Sequence, residues 1–251
     1  MKKTLVGLSV GLCFFSSLLG AGQSAGSWWD KGASILESVT KKTNVTTLAE
    51  PSVAEIGEAF KQALGIGCGN VVTKLGGMDG FNADPLIHIP LPDQLNTVKN
   101  MLAKVGMSKA VDDLELKLNR AAEAATPKAK ELFMQSIADM TFEDVNTIYK
   151  GPEDSATKYF QEKMTPSLME EMRPIIEESL SQVGALQAYD NVMGKYKTMP
   201  FVPDVKADLS DHVVQKGMDG IFFYIAKEES AIRSDPLKQT TSLLKKVFGH
   251  F

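Results

Sequence analysis

Two cysteines and three histidines in 251 residues leave little material for thiol or metal chemistry. Cys13 lies in an apolar run near the start and Cys68 stands alone after it, so no internal disulfide is expected once that first segment is removed. His88, His212 and His250 are far apart and form no His-x-x-x-His pair. The acidic residues Asp79, Asp84 and Asp93 lack the spacing of a calcium loop. No metal and no cofactor are therefore expected. Long apolar runs are missing too, beyond the first two dozen residues. No later stretch approaches the ~18 residues that a membrane span needs. An excess of positive charge is also lacking, with 27 basic against 31 acidic side chains. That balance argues against sequence-independent nucleic-acid binding, which requires a basic face. Finally, no series of alternating strands appears, so the terminal Phe251 does not signal an outer-membrane barrel.

What is present begins with a targeting pattern. Lys2 and Lys3 precede an apolar stretch from Leu5 to Leu19, and small residues follow from Gly20 to Gly26. This is the layout of a cleavable secretory signal peptide over residues 1–24, with cleavage expected after Ser24. Leu12 stands before Cys13 where a lipid-modified cysteine needs a small neighbour, so no lipoprotein is expected. The expected location is periplasmic or secreted. Residues 25–50, rich in Ser, Thr, Gly and Lys, read as a flexible leader with a short helix around Ala33 to Thr40. Trp28 and Trp29 either cover an apolar groove on the domain or anchor it peripherally at a membrane–water boundary.

From Ser52 onward the signals are helical. Ser52 with Glu55 forms a capping box. Thr126–Pro127 and Thr165–Pro166 place a capping hydroxyl before a proline and predict two further helix starts. Thr141 with Asp144 resembles another box, and Pro152-Glu153-Asp154 puts negative charge where a helix dipole favours it. Apolar residues share one face in Val111, Leu114, Leu118, Ala121, Ala122 and Ala125. They do so again from Leu168 to Val183, a run stopped by Gly184 and bent by Pro174, and from Val214 to Ile225. Leu86 to Pro92 and Met199 to Val205 read as proline-punctuated connectors. The expectation is an all-α, multi-helix globular domain of about eight to ten helices over residues 51–251, with no substantial sheet. It would be a single domain with room for two lobes.

Candidate chemistry is sparse. Gly65-Ile66-Gly67-Cys68-Gly69 is a small-residue patch that permits close helix approach. A reactive thiol there would need a base that the sequence does not show. Asn119, Arg120 and Glu123 form the most notable polar set. Arg120 and Glu123 are neighbours on one helix flank, either as a surface pair or as part of a pocket in which Arg120 holds an anion. The segment from Pro200 to Asp208 is either a rigid linker whose Phe201 and Val202 plug the core, or a recognition loop presenting Asp204 and Lys206. Candidate ligand-binding residues are thus Asn119, Arg120, Glu123, Asp204 and Lys206.

Several segments together resemble a bacterial family known as domain of unknown function 4197. They are Gly80-Phe81 with Ile87-His88-Ile89-Pro90-Leu91-Pro92, Leu118 to Ala125, Met140-Thr141-Phe142-Glu143-Asp144, Pro200 to Asp208, and Thr240 to Gly249. The resemblance covers about Val53 to Gly249 and implies an exported, helix-rich protein without an assigned activity. The residues favour a non-catalytic binding or interaction module for an apolar or anionic small molecule or an envelope protein. Two alternatives stand beside it: a carboxylate-dependent hydrolase or lyase using Glu123 or Asp204 with Arg120, and a protein attached to the membrane surface.

Overall fold

The computed structural model describes residues 50–141, 143, 145–203 and 207–249. The segment expected to be a signal peptide, the expected leader with Trp28 and Trp29, Asp144, Asp204 and Lys206 lie outside the described residues. Within them are eight α-helices and one 3-10 turn, with no strand. The helices are α1 (Val53–Leu75), α2 (Asn96–Lys104), α3 (Ser108–Asp139), α4 (Val145–Lys150), α5 (Ser155–Gln182), α6 (Ala185–Lys197), α7 (Leu209–Ser234) and α8 (Ser242–Phe248). The all-α expectation holds.

Four long helices, α1, α3, α5 and α7, pack on one another and enclose the core. Helix α6 lies on α3, α2 bridges α3 and α6, and α8 closes over α1 and α7. The apolar faces named above supply the packing. Val111, Leu114, Leu118, Ala121, Ala122 and Ala125 are all buried, as are Val214, Met218, Ile221, Phe222 and Ile225. At the centre Phe133, Phe160 and Phe222 meet with ring centroids 5.5–6.3 Å apart, a spacing at which tilted rings attract. The small-residue patch acts as expected at Gly67. A Cβ there would lie 3.2 Å from the Cβ of Glu228, so glycine lets α7 approach α1 closely.

Helix boundaries follow the capping chemistry in most places. Both halves of the Ser52–Glu55 box form. Asp208 accepts the Asp211 amide at the start of α7, and Gly184 adopts φ 74° between α5 and α6. The Thr-Pro pairs behave differently. Pro127 lies inside α3, and Pro166 and Pro174 lie inside α5. Instead of capping a new helix, Thr126 and Thr165 turn their hydroxyls back to the carbonyls of Ala122 and Gln161. Each thus bonds the preceding turn, four residues back, beside the amide that proline lacks. Burial on both sides of the proline carries the helix through, because packing outweighs a local stop signal. Phe201 also departs from expectation. It does not plug the core but is fully exposed at φ 58°, while its neighbour Val202 packs inward.

Candidate functional site

The chain between α1 and the 3-10 turn, residues 76–92, crosses the bundle as a strap. Phe81, Ile87, Ile89 and Leu91 point inward and are buried. The amides of Gly76, Gly80, Ala83, Asp84, Ile87 and His88 find nearby backbone carbonyls, and those of Phe81, Asn82 and Ile89 turn to side chains of a neighbouring helix. Helix α3 supplies Glu123 and Asn119 to the strap backbone and Glu115 to the His88 side chain; the three recur every fourth residue and hence share one flank.

Glu123 is buried, and its Oε1 accepts from the backbone amides of Phe81 (3.1 Å) and Asn82 (3.0 Å). Its Oε2 accepts from Arg120 at 2.6 Å, and Arg120 also donates to Asp79 at 2.7 Å. Asp79 adopts φ 65°, a left-handed conformation that Asp tolerates better than most residues. Bonds from Asn82 and Arg120 hold its carboxyl below the usual range. Asn119 is fully buried; it accepts from the Ile89 amide and donates to the Ile89 carbonyl. Glu115 takes His88 on one oxygen (3.0 Å) and Lys99 on the other (3.3 Å). On the far side Tyr224 donates to Asp84, Lys74 pairs with the same carboxylate, and His212 meets the Pro90 carbonyl at 2.7 Å.

The structure therefore brings Asn119, Arg120 and Glu123 together, but around a piece of the same chain. Glu123 is committed to two amides and a guanidinium, and Asn119 to the N–H and C=O of Ile89 and the carbonyl of Glu115. This arrangement clamps a loop. Cys68 is buried and burial pushes its thiol up to about 11, so it is not a nucleophile near neutral pH.

A second polar cluster escaped the reading of the sequence. Glu229 and Arg233 on α7 are both buried and pair at 3.3 Å. Glu229 accepts from the amides of Ala156 and Thr157 and from the Thr157 hydroxyl. It thereby caps α5 from another helix, where Asp154 gives no side-chain cap of its own. Arg233 donates to the carbonyls of Tyr149, Gly151 and Pro152. Burial pushes the Glu229 carboxyl up, against the pull of these donors. A signal was available: Glu229 continues the apolar stripe of Phe222 and Ile225, a place where an unpaired charge could not stand.

The clearest cavity lies elsewhere. A groove of about 690 Å³ opens between α1 and α3. Gly65, Ile66, Met134, Ile137 and Ala138 line it, and Glu58, Lys61, Gln62 and Thr241 lie on its rim. Lys61 crosses from α1 to donate to the Ala138 carbonyl at 2.6 Å, and Thr241 donates to Gln62 at 2.9 Å. Met134 is partly exposed there and faces Gly65. Among the described residues no helix is long and apolar enough to cross a membrane, and no group of three or more His, Cys, Asp or Glu is placed to hold a metal ion.

An all-helical domain with a side-chain-clamped strap and an apolar groove is the class that these features define. Residues 50–249 match the family described as Protein of unknown function (DUF4197), and the chain belongs to that family. No curated protein and no solved structure gives a significant match.

Proposed function

We propose that the chain is an exported, non-catalytic binding module whose helical domain takes an apolar small molecule in the groove between α1 and α3. The groove carries this reading. Its volume of about 690 Å³ falls within the range of small-molecule pockets, and its floor is hydrocarbon from Ile66, Met134 and Ile137. Methionine adapts its shape to apolar ligands at small cost. The rim offers a few polar groups to orient a ligand, with Lys61 the cation among them. Export rests on the sequence pattern of residues 1–24. The carboxylate-enzyme alternative draws no support from Glu123, whose oxygens already serve Phe81, Asn82 and Arg120.

The test is titration with N-phenyl-1-naphthylamine, a dye that fluoresces in apolar surroundings. The expected result is saturable binding in the wild type and a loss of roughly tenfold in affinity in Gly65→Leu, which places a side chain in the groove. Non-saturable fluorescence, or binding unchanged by Gly65→Leu in a folded variant, would defeat the reading. Native mass spectrometry of protein taken from its own compartment would then identify the natural ligand.

A further inference from the structure

His88 sits between two acceptors. Its Nδ1 lies 2.9 Å from the Asn82 carbonyl oxygen, and its Nε2 lies 3.0 Å from Glu115 Oε1. A carbonyl oxygen and a carboxylate can only accept, whereas neutral imidazole carries one N–H and one bare lone pair. Both contacts are hydrogen bonds only when the ring holds two protons. With one proton, a nitrogen lone pair faces an oxygen at hydrogen-bond distance and repels it.

We propose that His88 is a proton-dependent latch on the strap, closed by the imidazolium and released when the ring loses its second proton. Its position suits that role. The strap is clamped on one side of the latch by Glu123 at Phe81 and Asn82, and on the other by Asn119 at Ile89. The turn between these clamps carries the exposed Leu86. It also carries Ile87, whose Cβ lies 3.2 Å from where a Cβ on Gly220 would stand. Release of the latch leaves that turn held at Asp84 by Tyr224 and Lys74 and loosens the Ile87–Gly220 contact.

Charged and titratable groups line the strap from each element packed against it. From α3 come Glu115, Arg120 and Glu123; from α2, Lys99; from α1, Lys74; from α7, Tyr224 and His212; from the strap itself, Asp79 and Asp84. Burial opposes ionisation of Glu115, but the His88 bond and Lys99 outweigh it and hold that carboxyl below its ordinary value. The bonds to Asp79 and Asp84 do the same, Tyr224 being the main cause at Asp84. These three therefore stay ionised between pH 5 and pH 8, the interval in which imidazole ordinarily changes charge. His212 makes one contact, to Pro90, which a neutral ring satisfies with its single N–H.

Amide hydrogen exchange on the whole chain tests the latch, with rates corrected for intrinsic pH dependence. In the wild type, protection at Ile87 and His88, whose amides bond to Asp84, should fall roughly tenfold between pH 5.5 and pH 8. Protection at buried Leu180 in α5 should not change. Glu115→Gln supplies a donor that neutral Nε2 can accept, so the dependence should flatten or reverse. Equal protection at both pH values in the wild type would overturn the proposal, and so would a wild-type slope retained in Glu115→Gln.

Discussion

The side chain of Asn119 pairs with the backbone of Ile89 as a neighbouring strand would, accepting at 2.9 Å and donating at 2.8 Å. Both partners are buried and separated by 30 residues, so one amide side chain replaces a missing ladder. Asn119→Ala leaves a donor and an acceptor of Ile89 without a partner. The expected cost is about 2–4 kcal/mol, read from a urea midpoint. Asn119→Asp should cost at least as much, because a carboxylate would face the Ile89 carbonyl. If Asn119→Ala changed the midpoint by less than experimental error, the pairing would not be what holds the strap.

Glu123 separates a structural from a catalytic reading. Glu123→Gln keeps an oxygen for the Phe81 and Asn82 amides but loses the charge that Arg120 pairs with. It should cost about 1–2 kcal/mol and leave the circular dichroism spectrum native. Glu123→Ala, which abandons two amides, should cost more. Equal losses from the two substitutions would show that the amide bonds contribute nothing.

The pair Glu229–Arg233 calls for a double-mutant cycle. Glu229→Ala leaves a buried guanidinium without its carboxylate and strips the cap from α5, a loss of about 3–5 kcal/mol. Replacing both residues, as Glu229→Leu with Arg233→Met, should recover much of it but not the roughly 1 kcal/mol of the cap. Simple additivity of the single substitutions would remove the pair from the account of stability.

Gly220 marks where the strap presses on α7. A Cβ there would stand 2.9 Å from Phe81 Cε1 and 3.2 Å from Ile87 Cβ. Gly220→Ala should destabilise by about 1–3 kcal/mol despite the better helix propensity of alanine. Gly69→Ala, with open space around it, should stabilise slightly. A stabilised Gly220→Ala would mean that the strap yields easily.

Acid should loosen the strap before the bundle. Asp79, Asp84 and Glu115 all hold their protons less readily than ordinary carboxylates. The unfolded chain therefore binds more protons, and the stability they contribute is present above the ordinary value of about 4. It is lost as pH falls through the lower folded values. Exchange at strap amides should rise between pH 5 and pH 3 ahead of amides in α5. Simultaneous loss of both would contradict the prediction.

Much of this fold was legible because periodicity and capping are local. The faces beginning at Val111 and Val214 and the Ser52 box needed only neighbouring residues to read. The continuation of α3 through Pro127 and of α5 through Pro166 was not legible, since it depends on partners far along the chain. The candidate site was half visible. Asn119, Arg120 and Glu123 stood out as polar groups on an apolar helix, but the strap they hold lies 30–42 residues away. Phe201 misled because its apolarity suggested burial, whereas its backbone turns it outward at φ 58°. The groove drew nothing from the sequence, because a gap between α1 and α3 depends on how two distant helices approach.

The cap of α5 by Glu229 spans 72 residues, and the contact of Lys246 in α8 with Glu55 in α1 spans 191. Order of synthesis gives these separations a meaning. The first turn of α5 waits for α7, and α1 waits for α8 to bring Phe248 against Phe60. Contacts of such high sequence separation delay folding until the late segments have emerged. A chain still attached to the ribosome therefore leaves the first turn of α5 and the Phe60 face of α1 uncovered until α7 and α8 have emerged.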